Sequence, residues 1–302
     1  MTNRIQFSQL ISFDDLMKNT LGLIYQAKNK NAGDFKPTCF EDLDRITKGL
    51  ESGKITAIVG RPSMGKTLFA LNIVRNVAVK GAPVLVFSLS LCKEEWTKCF
   101  LCSSADLDLH KTRMGKLDEE ETTKLNEIAQ KWASLPLFVK DEDRRLEDII
   151  RTISESINEH KIELVLIDGM SDIYGNTIQT MKSRGQRYDK QLKVLRNKAE
   201  EWGIPVLITQ GLSRRIERNP YLMIPKNEYG IREGNLSQYA GRILQLYREE
   251  YYNPKKSNRG VMNIRIPAMK YGEVNTNVML HFDRNTGQVK EFETMPFDPD
   301  RK

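Results

Sequence analysis

Gly60-Arg61-Pro62-Ser63-Met64-Gly65-Lys66-Thr67 is the stretch on which the reading of this chain turns. It fits G-x-x-x-x-G-K-[ST], and its surroundings give the pattern physical meaning. The five residues before it, Ile55-Thr-Ala-Ile-Val59, form a short apolar, β-rich run that reads as a buried strand. Behind it, Leu68, Ala70, Leu71, Ile73 and Val74 begin an amphipathic helix. In a strand–loop–helix of this kind, backbone N–H groups of the loop and helix start face one concavity. They bind nucleotide phosphates there, aided by the positive end of the helix dipole. Gly60 and Gly65 permit the tight path, Arg61, Pro62, Ser63 and Met64 complete the loop, Lys66 reaches the terminal phosphates, and the Thr67 hydroxyl ligates Mg²⁺.

Working outward, the chain alternates strand and helix from Thr38. Strands are expected at Ile55–Val59, Val84–Ser88, Leu137–Val139, Leu164–Asp168 and Val206–Thr209. Helices are expected at about Gly65–Lys80, Lys93–Ser103, Asp118–Ala133, Leu146–His160 and Arg187–Trp202. This alternation predicts an α/β fold with a twisted, mostly parallel central sheet flanked by helices. Ligands of such sheets sit at the carboxyl ends of the strands. Later segments, Arg242–Tyr247, Gly260–Ile266 and Asn277–Phe282, also read as strands, and Asp283-Arg-Asn-Thr-Gly287 as a hairpin turn. Before the domain, Ser8–Lys28 places Leu10, Phe13, Leu16, Met17, Leu21 and Ile24 on one helical stripe, and polar Lys28–Asp34 reads as a linker. Three parts follow: an N-terminal linker helix and linker over residues 1–36, a nucleotide-binding domain over 37–292, and a charged, proline-containing tail over 293–302. The stripe packs back on its own domain or docks on a neighbouring subunit.

The second half of the site is expected at Leu164-Val-Leu-Ile-Asp168, an apolar strand ending in a carboxylate that holds Mg²⁺ beside Thr67. Val206-Leu-Ile-Thr-Gln210 ends at the same edge, where Gln210 can sense a γ-phosphate. Two basic clusters lie beyond these strands: Lys182, Arg184 and Arg187, then Arg214, Arg215 and Arg218, continuing to Lys226 and Arg232. Arg and Lys on such loops suit a nucleic-acid backbone, which they position without reading its sequence.

Bulk composition sets looser bounds. Across 302 residues, 47 Lys and Arg against 40 Asp and Glu give a formal net charge of +7, compatible with a polyanionic partner. Three histidines make a histidine-based metal site improbable. Cys39, Cys92, Cys99 and Cys102 lack a paired C-x-x-C metal pattern and read as thiols of a reducing, cytoplasmic compartment. The N-terminus shows no apolar signal region, and no apolar run reaches the ~20 residues of a membrane span, so no membrane association is expected.

With these residues in hand, the chain resembles the RecA-type motor domain of DnaB-like replicative helicases. The resemblance is carried by the loop wording Arg-Pro-Ser-Met-Gly-Lys-Thr and by Phe40-Glu-Asp-Leu-Asp44 with Thr47-Lys-Gly-Leu50. It continues through Val84-Leu-Val-Phe-Ser-Leu89, Gly115-Lys-Leu-Asp118, Ile167-Asp168, Thr209-Gln210, Arg232-Glu233 and Tyr247-Arg248-Glu249. It covers roughly residues 8–292, and the Ser8–Lys28 helix is similar to the linker helix that docks on the adjacent subunit. The resemblance implies ATP and Mg²⁺ as ligands and a hexameric ring, expected here as a homo-hexamer or other ring oligomer. It also implies translocation along single-stranded DNA in replication and a primase or replicative-helicase partner. The family's N-terminal, primase-contacting domain has no counterpart in these residues, which implies a motor-only form or a partnered chain.

Three positions depart from the family pattern. Where the family strand reads Ser-Leu-Glu, with its Glu activating the attacking water, this chain has Ser90. Removal of a general base costs about 10²–10⁴-fold in rate. Glu94 and Glu95, on the following helix, are the candidate substitutes. The family's trans-acting Lys and Arg align with Ala268 and Lys270, where Lys270 lacks the planar fork of arginine, or in another register with Lys270 and Gly272. The acidic residues that follow the family's Gln-Asp-Ala are absent from Gln238-Tyr-Ala-Gly241. Three readings follow: an ATP-hydrolysing helicase motor, a hydrolysis-poor ATP-binding paralogue that regulates or loads a replicative helicase, and a recombinase-like filament protein. The retained framework favours the first.

Overall fold

A computed structural model of the chain describes residues 12–29, 35–174, 184–212, 236–253, 259–269 and 276–292. The chain divides into two compact units, residues 1–34 and 35–302. In the first, helix α1 (Phe13–Asn29) starts with Ser12, whose hydroxyl accepts from the Asp15 N–H at 3.1 Å. Phe13, Leu16, Met17, Leu21 and Tyr25 are exposed apolar side chains on this helix.

In the second unit, a two-stranded antiparallel ribbon pairs β1 (Phe35–Lys36) with β2 (Leu50–Glu51) around helix α2 (Glu41–Thr47). The following strands are β3 (Ile55–Gly60), β4 (Val84–Ser88), β5 (Leu137–Lys140), β6 (Leu164–Asp168), β7 (Val206–Gly211) and β8 (Arg242–Tyr247). They form a parallel sheet extended on one side by an antiparallel set, β9 (Val261–Met269), β10 (Thr276–Phe282) and β11 (Val289–Glu291). The complete order is β11-β10-β9-β8-β3-β7-β6-β4-β5. The strand bearing Gly60 is therefore central, with β8 on one side and β7, β6 and β4 on the other.

The helices are α3 (Lys66–Val79), α4 (Lys93–Ala105), α5 (Leu109–Arg113), α6 (Glu119–Trp132), α7 (Leu146–His160), α8 (Arg184–Trp202), α9 (Leu236–Tyr239) and α10 (Glu249–Tyr252). Alternation within each strand separates two cores. Ile58, Val86, Leu166 and Leu207 face α3 and α4 through Phe69, Ile73 and Trp96. Ile55, Ala57, Val59, Val165, Ile167 and Ile208 face α7 and α8 through Ile149, Ile153, Leu192 and Leu195. A sheet covered on both faces buries nearly every strand residue, which is why these strands read as continuous apolar runs. Each fully buried large aliphatic side chain contributes about 1.5–3 kcal/mol.

The expected strands and helices form to within a few residues, and Asp118 caps α6 with the reciprocal Asp118–Glu121 capping box. Sequence reading passed over β1, β2, α2, α5, α10 and β11, all short. It also read Gly211–Gln238 as a loop. Residues 213–235 lie outside the described residues, and the segment's last part joins α9. Residues 8–11 of the expected N-terminal helix and the 293–302 tail lie outside them as well.

Candidate nucleotide site

Three strand ends converge on the turn after β3. Ser63 (φ 66°) and Gly65 (φ 90°) both take the left-handed conformation, folding the loop so that α3 starts at Lys66. A Cβ at Gly65 would meet Met262 Cε at 3.0 Å and the Phe282 ring at 3.3 Å, so glycine is required both by conformation and by space. The first N–H groups of α3 have no partner within the helix and lie at its positive end. Lys66 Nζ donates to the Arg61 carbonyl at 2.9 Å. Burial pushes the Lys66 ammonium below its ordinary pKa, and the charge on Asp168 opposes that shift.

Asp168 ends β6 between Ser88 of β4 and Thr209 of β7. Its Oδ1 accepts from Thr209 Oγ1 at 2.6 Å and from Thr67 Oγ1 at 3.1 Å. Its Oδ2 is buried with no hydrogen-bond partner. A buried, unpaired carboxylate oxygen beside a hydroxyl is a costly arrangement unless a cation completes it. The two oxygen donors suit Mg²⁺, a hard ion usually held by one or two protein oxygens plus phosphates and water.

The electrostatics give a prediction. Burial raises the Asp168 carboxyl above its ordinary value of 3.8, while hydrogen bonds from Thr209 and Thr67 and the Lys66 charge pull it back. A carboxyl with a raised folded pKa contributes stability that is full below the unfolded value. That contribution is lost as pH rises through the folded pKa. At neutral pH, above the unfolded value, the buried Asp168 carboxyl therefore costs stability in the ligand-free protein. Asp168→Asn is expected to raise the melting temperature of ligand-free protein. It should also abolish the further rise given by Mg²⁺ with nucleotide. A variant that melts lower than the parent would refute the strained-carboxylate account.

On the other side of β3, a cavity of about 820 Å³ runs along the Ser63–Gly65 flank of the loop. It is lined by Arg248, Glu250 and Tyr251 after β8 and by Phe282 and Arg284 at the end of β10. Arg248 lies over the Phe282 ring at 4.5 Å, donates to the Ser63 carbonyl at 3.2 Å and pairs with Glu250. The cation–π contact and the Glu250 pairing hold its guanidinium at this wall. The cavity has room and aromatic faces for a nucleoside, whereas Asp168 lies beyond the loop on the other side of β3. The strand order thus places this cavity on one side of β3 and Asp168 on the other.

Thr67, Lys66 and Asp168 come together as expected. Gln210 pairs in register with Val59, its Nε2 bonds the Gly211 carbonyl at 3.1 Å, and its buried Oε1 has no partner. Ser90 lies beside the Asp168 backbone: its N–H and Oγ both donate to the Asp168 carbonyl, at 3.2 and 3.3 Å. No hydrogen bond or ion pair joins Glu94 or Glu95 to Thr67 or Asp168 among the described residues. Glu94 is exposed on α4. Glu95 is engaged by Arg113 at 2.7 Å and Lys98 at 2.7 Å, which hold its carboxyl below the usual range. Arg187 is exposed on the first turn of α8. Lys182, Arg214, Arg215, Arg218, Lys226, Arg232 and Lys270 lie outside the described residues, as does the side chain of Arg184. Cys99 and Cys102 are buried on α4, and all four cysteines are free thiols. No helix among the described residues is long and apolar enough to cross a membrane.

Sequence reading missed the clamp role of Thr209 and the Arg248–Phe282 wall. The apolar run ending Thr209-Gln210 signalled a strand end but not which side chain turns toward Asp168. Nothing local links Arg248 to Phe282.

Comparisons with known proteins show the family of the chain. Residues 36–292 match the family described as DnaB-like helicase C terminal domain. A probable replicative DNA helicase of Trieres chinensis is 31% identical over 291 residues, covering 94% of this chain and 63% of the relative. The replicative DNA helicase DnaB of Geobacillus stearothermophilus is 30% identical over 243 residues, covering 80% of this chain and 53% of the relative. The chain thus spans between half and two thirds of these relatives' lengths. A solved DnaB-like replicative helicase, described with its interactions with primase, superposes with a TM-score of 0.81 at 23% identity, covering 94% of this chain and 67% of that one.

Proposed function

The chain belongs to the DnaB-like helicase C-terminal domain family and has a RecA-like fold, and from that premise we propose that it is an ATP-hydrolysing motor acting on single-stranded DNA in replication. One observation carries the proposal above all: the Thr67–Asp168–Thr209 cluster, with an unpaired buried Asp168 oxygen beside the Lys66 loop. In this reading the 60–67 loop cradles the triphosphate, and Lys66 leaves the Arg61 carbonyl to pair with its terminal oxygens. Thr67 and Asp168 hold Mg²⁺, which when bound offsets charge on the β- and γ-phosphates. The Arg248–Phe282 wall receives the nucleoside. Gln210 carries an unpaired amide oxygen at the end of β7, next to Gly60, which suits a γ-phosphate sensor. Seven residues separate it at most from the arginines at 214, 215 and 218, so ligand-dependent movement of this strand end reaches a DNA-contacting segment directly.

The exposed apolar side chains of α1 support a helix that packs on a neighbouring subunit, as a ring, and most simply a homo-hexamer, requires. Lys270 would then act on the adjacent subunit's nucleotide. Primase or a replicative helicase is the protein partner in this reading, and four free thiols suit a cytoplasmic setting. We further assign domain limits of 1–36, 37–292 and 293–302 to the linker, motor and tail.

A second reading rests on Ser90 at the position of the family glutamate: an ATP-binding paralogue with poor hydrolysis that regulates or loads a replicative helicase. Measuring ATP hydrolysis with and without single-stranded DNA, beside Lys66→Ala, separates the two. The motor reading expects turnover that rises at least severalfold with DNA and vanishes in the variant. Tight ATP binding without Lys66-dependent turnover would reject the motor and leave the regulator.

A further inference from the structure

At the position where the family resemblance places a glutamate, the chain offers only a hydroxyl, yet a carboxylate comes into the same space from a different element. β6 ends at Asp168, and Gly169 follows with φ 109°. That left-handed turn starts the short 3₁₀ helix Met170–Asp172, closed by the Asp172 N–H donating to the Gly169 carbonyl at 2.9 Å. The reversal carries the Asp172 side chain back over the strand end. A Cβ built on Gly169 would lie 2.5 Å from Ser90 Oγ and 2.9 Å from Asp172 Oδ2. Both oxygens therefore crowd one small volume above Gly169, and only glycine leaves that volume open. Asp172 is exposed and forms no ion pair among the described residues, unlike Glu95, whose carboxylate is occupied by two cations. Its charge is also felt at Asp168, whose carboxyl it pushes upward.

We propose that Asp172 is the general base of this ATPase, replacing in space the glutamate that Ser90 replaces in sequence, with Ser90 Oγ helping to hold the attacking water. The inference rests on the hydrolytic reading of the site. In the step, the Asp172 carboxylate accepts a proton from water as the water oxygen bonds to Pγ and the Pγ–O bond to the β-phosphate breaks. The products are ADP and inorganic phosphate, and the base later releases its proton to solvent. An aspartate is one methylene shorter than glutamate, and the Gly169 reversal supplies the missing reach.

The test uses the full chain and Asp172→Asn, which preserves size and removes the basic oxygen. Turnover at saturating ATP is expected to fall about 10²–10⁴-fold. Mg²⁺-dependent binding of a fluorescent ATP analogue should stay within about threefold of the parent. Adding Ser90→Glu to Asp172→Asn should restore at least tenfold of the lost turnover, a rescue that damaged folding cannot imitate. Asp172→Asn turning over like the parent, while Lys66→Ala is dead, would overturn the inference and leave the motor reading intact. Loss of analogue binding without loss of saturated turnover would also overturn it, by making Asp172 a ligand-holding group. A parent with no Lys66-dependent turnover would defeat both.

Discussion

Lys66→Ala is expected to lower ATP turnover by at least about 10²–10³-fold, the size of effect seen when one preorganised donor to a developing negative charge is removed. The lysine is held where such a donor is most effective. Its ammonium is partly buried, tethered to the Arg61 carbonyl at 2.9 Å, and destabilised by that burial. A triphosphate offers it more charge than a peptide carbonyl does, so exchange of partners on binding is favourable. Lys66→Arg should rescue little, because a planar fork does not fit a pocket shaped for a point charge. The ligand-free alanine variant should melt no lower than the parent, since it removes a desolvated charge. Turnover within tenfold of the parent would mean that hydrolysis occurs somewhere other than at this loop.

The second large effect is on stability. Phe69→Ala is expected to cost about 3–5 kcal/mol, read as a drop in the urea midpoint. Phe69 stands on the first turn of α3, is fully buried, and stacks on Phe40 with ring centroids 5.7 Å apart. Its N–H donates to the Gly65 carbonyl at 2.8 Å, so the same residue anchors the helix and closes the loop. Against a total stability of about 5–15 kcal/mol, such a loss is a large fraction. Phe69→Leu keeps most of the volume and should cost about 1.5 kcal/mol or less. If the alanine variant lost under about 1 kcal/mol, the packing of α3 on the sheet would depend on other side chains than those of this core.

Much of the site was legible along the chain because its parts are local. The 60–67 loop combines a strand, two glycines and a helix start within one short window, and each carries its own conformational signal. Asp168 was legible because a buried parallel strand is apolar throughout and a carboxylate marks its end. Long helices such as Leu146–His160 were read to their limits by period alone. The two-residue strands β1 and β2 were not, since a pair so short has no period and forms only because α2 folds its ends together.

What the sequence determined by itself is the α/β class, the central strand–loop–helix and the residue types, Lys66, Thr67 and Asp168, that gather at its strand ends. These follow from hydrophobic period, from glycine at positions where the chain must turn, and from the chemistry of single side chains. Tertiary structure alone decided the strand order that sets the Arg248–Phe282 wall on one side of β3 and Asp168 on the other. It also decided the clamping of Asp168 by Thr209, the stacking of Arg248 on Phe282, and the meeting of Ser90 with Asp172 above Gly169. Each of these joins residues separated by tens of positions. Such contacts depend on which strands lie side by side, and the order of strands is fixed by the packing of the whole sheet rather than by any one segment of the chain.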